Sequence, residues 1–153
     1  MELAEALAER KALDARFTSI ENRLKANVLI QEGDAVREDP EKLFGLLHQT
    51  AADLRAVMVR IARTNQATVV DGRPLADWIA ERDVSVRRFK ILSGVVDKAS
   101  ERVERRNADD IPVVTTIDVA ARKQEADRLA ARVREIDSRI QCANWTTELL
   151  EVE

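Results

Sequence analysis

One histidine, one cysteine and four separated glycines are the scarce residues that decide which chemistry this chain can perform. A dimetal site in a long helical bundle requires two Glu-x-x-His pairs and two further glutamates. His48 stands alone, and Gly45 precedes it by three positions, so that site is excluded. One Cys and one His cannot supply the tetrahedral N/S set of a structural zinc either. A Cys–His nucleophilic pair would have to join His48, near the start of the second helix, to Cys142, near the end of the fourth. Alternating topology sets these on the order of 20 Å or more apart. Cys142 is therefore expected to be a small buried apolar side chain. Gly33, Gly45, Gly72 and Gly94 are isolated, so no phosphate-cradling loop exists, and no Gly-x-Ser-x-Gly elbow occurs. No cofactor or metal is expected.

The unusual chemistry lies in arginine, 19 residues against six lysines. A net charge of −3 and a pI near 5.4 provide no general positive field for nucleic acid or anionic lipid. The third helix collects Arg82, Arg87, Arg88, Lys90, Lys98, Arg102, Arg105 and Arg106, with Arg73 just before it, but acidic residues are interleaved and no aromatic stacking set accompanies them. A nucleic-acid partner is not favoured. The planar guanidinium suits bidentate pairing with carboxylates between helices or subunits. Arg82 interrupts an apolar face, and bundle topology sets it near Thr64, Asn65, Asp137, Gln141 and Asn144. A guanidinium there requires Asp83 or Asp137 as a partner. Two readings follow, a network that fixes helix register or a subunit interface, and a small-ligand pocket at the bundle end; the first carries more weight. Asn27 and Gln31 are polar core positions at the other end, read the same way.

The elements that must position these residues follow from composition and period. Ala, Glu, Lys, Leu and Arg make up half of the chain, against four Gly, three Pro and 3% aromatics. That composition belongs to long packed helices or coiled coils. Apolar positions at helical spacing predict helices over about 2–31, 40–65, 74–106 and 117–143, with Asp39-Pro40 and Gly72-Arg73-Pro74 marking two starts. The expected fold is all-α, a single domain over 1–153. Its four long antiparallel amphipathic helices form an up-down-up-down bundle or paired hairpins. Short extended segments are expected near 68–70 and 111–116. The sequence shows neither a leader pattern nor a spanning segment, and its lone cysteine suits a reducing cytoplasm.

Four motifs carry a family resemblance: Ile61-Ala62-Arg63-Thr64-Asn65 with Thr68 and Asp71-Gly72, Ala80-Glu81-Arg82-Asp83, Thr116-Ile117-Asp118-Val119-Ala120, and Ile140-Gln141-Cys142-Ala143-Asn144-Trp145-Thr146-Thr147. On these the chain resembles the septicolysin-like bacterial all-helical proteins over nearly its full length. The resemblance implies a pore-forming cytolysin and transfers no catalytic or binding residue. The residues themselves favour a cytoplasmic, self-associating helical bundle, a homo-oligomer with a structural or interaction role. Membrane activity is the alternative that the resemblance implies, although each apolar stripe is already needed for packing. Ligand binding or catalysis around Arg82 comes third.

Overall fold

The chain begins its first helix on a reciprocal cap. In the computed structural model, which describes residues 1–101 and 111–151, α1 spans Leu3–Asn27, and the Glu5 carboxylate accepts the Glu2 backbone N–H at 2.8 Å. This satisfies a donor that has no intrahelical partner. Helix α2, Pro40–Ala67, opens on Asp39, whose carboxylate accepts the Glu41 N–H at 2.9 Å. Proline follows at the first helical position, where no N–H is needed.

Leu3, Ala6, Leu13 and Ile20 of α1 and Leu43, Thr50, Val57, Ile61 and Thr64 of α2 are buried. Seven-residue spacings, 13 to 20 and 43 to 50 to 57, keep these side chains on one seam. The expected extension of the first helix to 31 is not observed. Asn27 ends α1 by donating its amide to the Arg23 carbonyl at 2.8 Å and accepting the Glu38 N–H at 3.2 Å. Arg23 forks onto the Glu38 carboxylate, which clamps the connection back against the helix. Gln31 therefore lies exposed in the connection rather than in a core.

After α2 the chain makes a miniature β-hairpin. Strand β1, Val69–Val70, pairs antiparallel with β2, Arg73–Pro74. Asp71 and Gly72 both have positive φ, 47° and 77°, the combination that a two-residue type I′ turn requires. Pro74 is thus a strand residue and α3, Leu75–Ala99, starts one residue beyond it. The segment 68–70 finds its partner locally. The second expected segment, 111–116, forms no strand and is exposed.

The chain divides into two compact units, with boundaries inside α3 and α4. In the first, residues after Cys142 return to the beginning of the chain. Leu3 N–H donates to the Thr147 carbonyl at 2.9 Å and Leu149 N–H to the Met1 carbonyl at 2.9 Å, with Glu2 bridging Glu148 antiparallel. The tail also meets α2, where the Thr64 hydroxyl accepts Leu150 N–H at 3.0 Å while donating to the Arg60 carbonyl at 2.8 Å. Both the start of α1 and the end of α2 touch this one tail segment, so the two helices are antiparallel.

The second unit, Ala76–Gln141, holds most of α3 and most of α4, the latter spanning Val119–Thr146. Asp118 caps α4 by accepting the Ala121 N–H at 2.9 Å. Helix α4 continues past 143 through Trp145, so Asn144 is helical rather than the start of a tail. Helix α3 ends at Ala99, short of 106; residues 102–106 of the expected helix, with Arg102, Arg105 and Arg106, lie outside the described residues. Among the described residues the fold is all-α apart from the two-residue strands.

Two threonines of α2 predict opposite responses to one substitution. Thr50 is fully buried in the seam and its Oγ1 has no partner among the described residues, whereas the buried Thr64 hydroxyl has two. Thr50→Val should raise stability by about 1 kcal/mol and Thr64→Val lower it by a similar amount. Urea denaturation of the two variants checks this; equal signs would contradict the assignment.

Candidate functional site

The arginines gather between α3 and α4 as a ladder of ion pairs. Arg132 Nε and Nη2 donate to Glu81 Oε1 at 2.9 and 2.7 Å, and its Nη1 donates to Glu135 Oε2 at 3.1 Å. Arg139 Nη1 donates to the other oxygen of Glu135 at 2.7 Å. Trp78 sits beneath these two cations, its ring centroid 5.5 Å from the Arg132 guanidinium carbon and 5.1 Å from that of Arg139. Cation–π attraction of about 0.5–1 kcal/mol is typical of each such contact. Farther along, Arg88 Nη2 and Arg122 Nη1 share the Glu125 carboxylate at 2.6 and 2.7 Å. Pairings that climb α3 as they descend α4, Arg82 with Asp137 and Arg88 with Glu125, make the helices antiparallel.

Burial in this unit is modest, with Trp78, Ala126, Ile136 and Ile140 the buried apolar residues among those described. Exposed ion pairs contribute under about 1 kcal/mol each, so the ladder's value is geometric. Opposite charges at fixed heights select one register of the two helices. Hydrogen bonds from Arg139 and Arg132 hold the Glu135 carboxyl below its ordinary value, and those from Arg122 and Arg88 do the same for Glu125. Carboxylates kept ionised by guanidinium forks are poor proton donors near neutrality. Among the described residues no three His, Cys, Asp or Glu side chains are grouped to hold a metal.

Arg82, Asp83 and Asp137 come together here. Arg82 Nε and Nη2 donate to Asp83 Oδ1 at 3.0 and 2.8 Å, and its Nη1 lies 3.6 Å from Asp137 Oδ1. The Arg82 side chain is 27% exposed, so the guanidinium sits at the margin of the packed face rather than inside it. Gln141, of the same unit, is exposed. Thr64, Asn65 and Asn144 belong to the first unit, with Thr64 and Asn144 buried and Asn65 half-buried. Cys142 is exposed, contrary to its expected burial, because Ala143 and Asn144 take the inward positions of that turn.

Apolar periodicity does not single out Glu81, Arg132, Glu135 and Arg139, since charged residues do not mark a stripe. Their signal is present nonetheless in the charges at 132, 135 and 139, which alternate in sign at helical spacing.

A family model described as a family of unknown function, DUF6847, matches residues 2–149. The crystal structure of a functionally unknown conserved protein from Corynebacterium diphtheriae is similar, with 32% identity, a TM-score of 0.91, and coverage of 98% of this chain and 99% of that one. No curated protein matches. These findings overturn the resemblance to septicolysin-like proteins, because the model that matches from 2 to 149 includes all four motifs on which it was drawn. The implied cytolytic activity falls with it. No described helix is long and apolar enough to cross a membrane.

The ladder predicts a pH response. Glu135 has a folded-state value below its ordinary 4.5, so its contribution is complete above that value and is lost as pH falls through the lowered one. Melting temperature should therefore drop on acidification below about pH 4.5, and Glu135→Gln should shallow that drop. Parallel curves for the two proteins would exclude Glu135 as a contributor.

Proposed function

We propose that this chain, which belongs to the DUF6847 family of unknown function, is a self-associating helical protein of the cytoplasm with a structural or interaction role, working as a homo-oligomer. The observation that carries this reading is an uncovered apolar stripe on α3. Val84 and Ile91 are each 66% exposed and Val95 is 45% exposed, and their spacings of seven and four residues put all three on one helix face. Val84, Arg87, Arg88, Ile91 and Leu92 line a shallow groove of about 330 Å³ along it. A Cβ built on nearby Gly94 would meet nothing within 4 Å, so another helix can approach closely.

Large apolar side chains aligned on water favour burial by about 25 cal/mol per Å² covered. A second copy supplies the same stripe, and a two-fold pairing lets one patch serve both sides. Arg82 and its aspartates, with the Arg132 ladder, hold α3 in register against α4 and so keep this face presented. The exposed Cys142 thiol, unpaired within the chain, suits a reducing compartment.

Light scattering coupled to gel filtration at micromolar concentration should give a mass above that of the 17.2 kDa chain. Ile91→Glu should return it to the monomer while leaving the far-UV circular dichroism unchanged, and Arg82→Leu should weaken association. A strict monomer would overturn the reading.

A further inference from the structure

We propose that the outer face of α2 is a binding groove for an extended acidic segment of a partner protein, and that Glu151 of the chain's own tail occupies part of it as a tethered competitor. Ala52, Arg55, Ala56, Val59, Arg60, Arg63 and Glu151 line this groove, which encloses about 460 Å³, within the range of ligand sites. The helical members fall at relative positions 0, 3, 4, 7, 8 and 11, a single stripe facing away from the buried Val57, Ile61 and Thr64. The alanines and Val59 give a low apolar floor, and the arginines project along it over two turns. Arg55 and Arg63, about 12 Å apart along the axis, are both exposed, and neither has an ionic or hydrogen-bonding partner among the described residues.

Arg60 shows which chemistry the groove accepts. Its Nε donates to the Leu150 carbonyl at 3.3 Å and its Nη2 to Glu151 Oε1 at 2.6 Å. A main-chain carbonyl and the next side-chain carboxylate thus share one guanidinium, the two acceptors that an extended acidic peptide repeats along its length. Glu151 is 85% exposed in its side chain and has little other hold, so an incoming carboxylate can displace it. A polynucleotide fits less well: three cations in one short row neutralise few phosphates, and the floor lacks an aromatic ring for bases to stack on.

The test is fluorescence anisotropy of a labelled decapeptide of alternating Glu and Val, titrated with the full chain. Saturable binding that weakens with added salt is expected. Glu151→Gln should tighten it several-fold, and Arg55→Glu combined with Arg63→Glu should abolish it while thermal melts remain unchanged, since neither arginine has a partner among the described residues to lose. Ile91→Glu on α3 should leave it unaffected, which separates this site from self-association. Absent binding, or binding indifferent to the arginine reversals, overturns the site. Unchanged or weaker binding in Glu151→Gln overturns the competitor. A single-stranded oligonucleotide or a phosphatidylglycerol vesicle that displaces the peptide at lower concentration, and loses that ability on arginine reversal, overturns the acidic peptide as the occupant.

Discussion

The N–H of Leu3, at a helix start with no intrahelical acceptor, finds its partner in the carbonyl of Thr147, and the architecture of the first unit depends on that bond and its neighbours. With Leu149 N–H on the Met1 carbonyl and Leu150 N–H on the Thr64 hydroxyl, a tail more than 140 residues downstream satisfies the open end of α1 and fastens it to the end of α2. Leu3, Thr64, Leu75 and Leu149 are buried, so these bonds lie at the margin of a dry contact rather than in open water. A backbone bond shielded in this way is costly to leave unmade. The consequence is that Thr64 acts as a structural fastener.

The second unit solves a different problem with different means. Few of its described apolar residues are buried, and two helices alone exclude little water. Arginine supplies what packing does not: five planar donors spread over two carboxylates specify height and rotation together, as Arg132 does between Glu81 and Glu135. Trp78 adds an apolar body beneath the cations. Such pairs contribute little net stability in partial exposure, but a mismatched register would leave charges unpaired across the whole hairpin. The paired arginines of this hairpin therefore serve specificity of helix pairing more than gross stability.

Much of this is legible in the sequence. The seven-residue spacing of Leu43, Thr50 and Val57 marked the α2 seam, and Asp39-Pro40 marked its start, because local capping chemistry depends only on neighbouring residues. Asp71-Gly72 carried the turn, although its partner strand could be local or foreign until the backbone was seen to reverse. Gln31 was misplaced because it continued the apolar rhythm of α1. The competing event was the Asn27 side chain bonding both Arg23 and Glu38, a contact with a residue eleven positions away. Cys142 was misplaced because a one-residue step on a helix rotates a side chain by about 100°, and only the tertiary contact decides which of three small neighbours faces inward.

The amino-acid sequence by itself determined an all-α chain of four long helices, and it excluded the metal and nucleotide chemistries that need more histidines, cysteines or clustered glycines than it has. Those conclusions rest on residue identity and on periodicity, which are local quantities. Tertiary structure alone decided that Glu81 meets Arg132 and that the tail returns to Met1, Thr64 and Arg60. It also left one face of α2 with two arginines that have no partner among the described residues and one face of α3 with exposed valine and isoleucine. Each of these depends on which of several equivalent charged or apolar residues come within a few ångströms of one another, and spacing along the chain does not encode that distance.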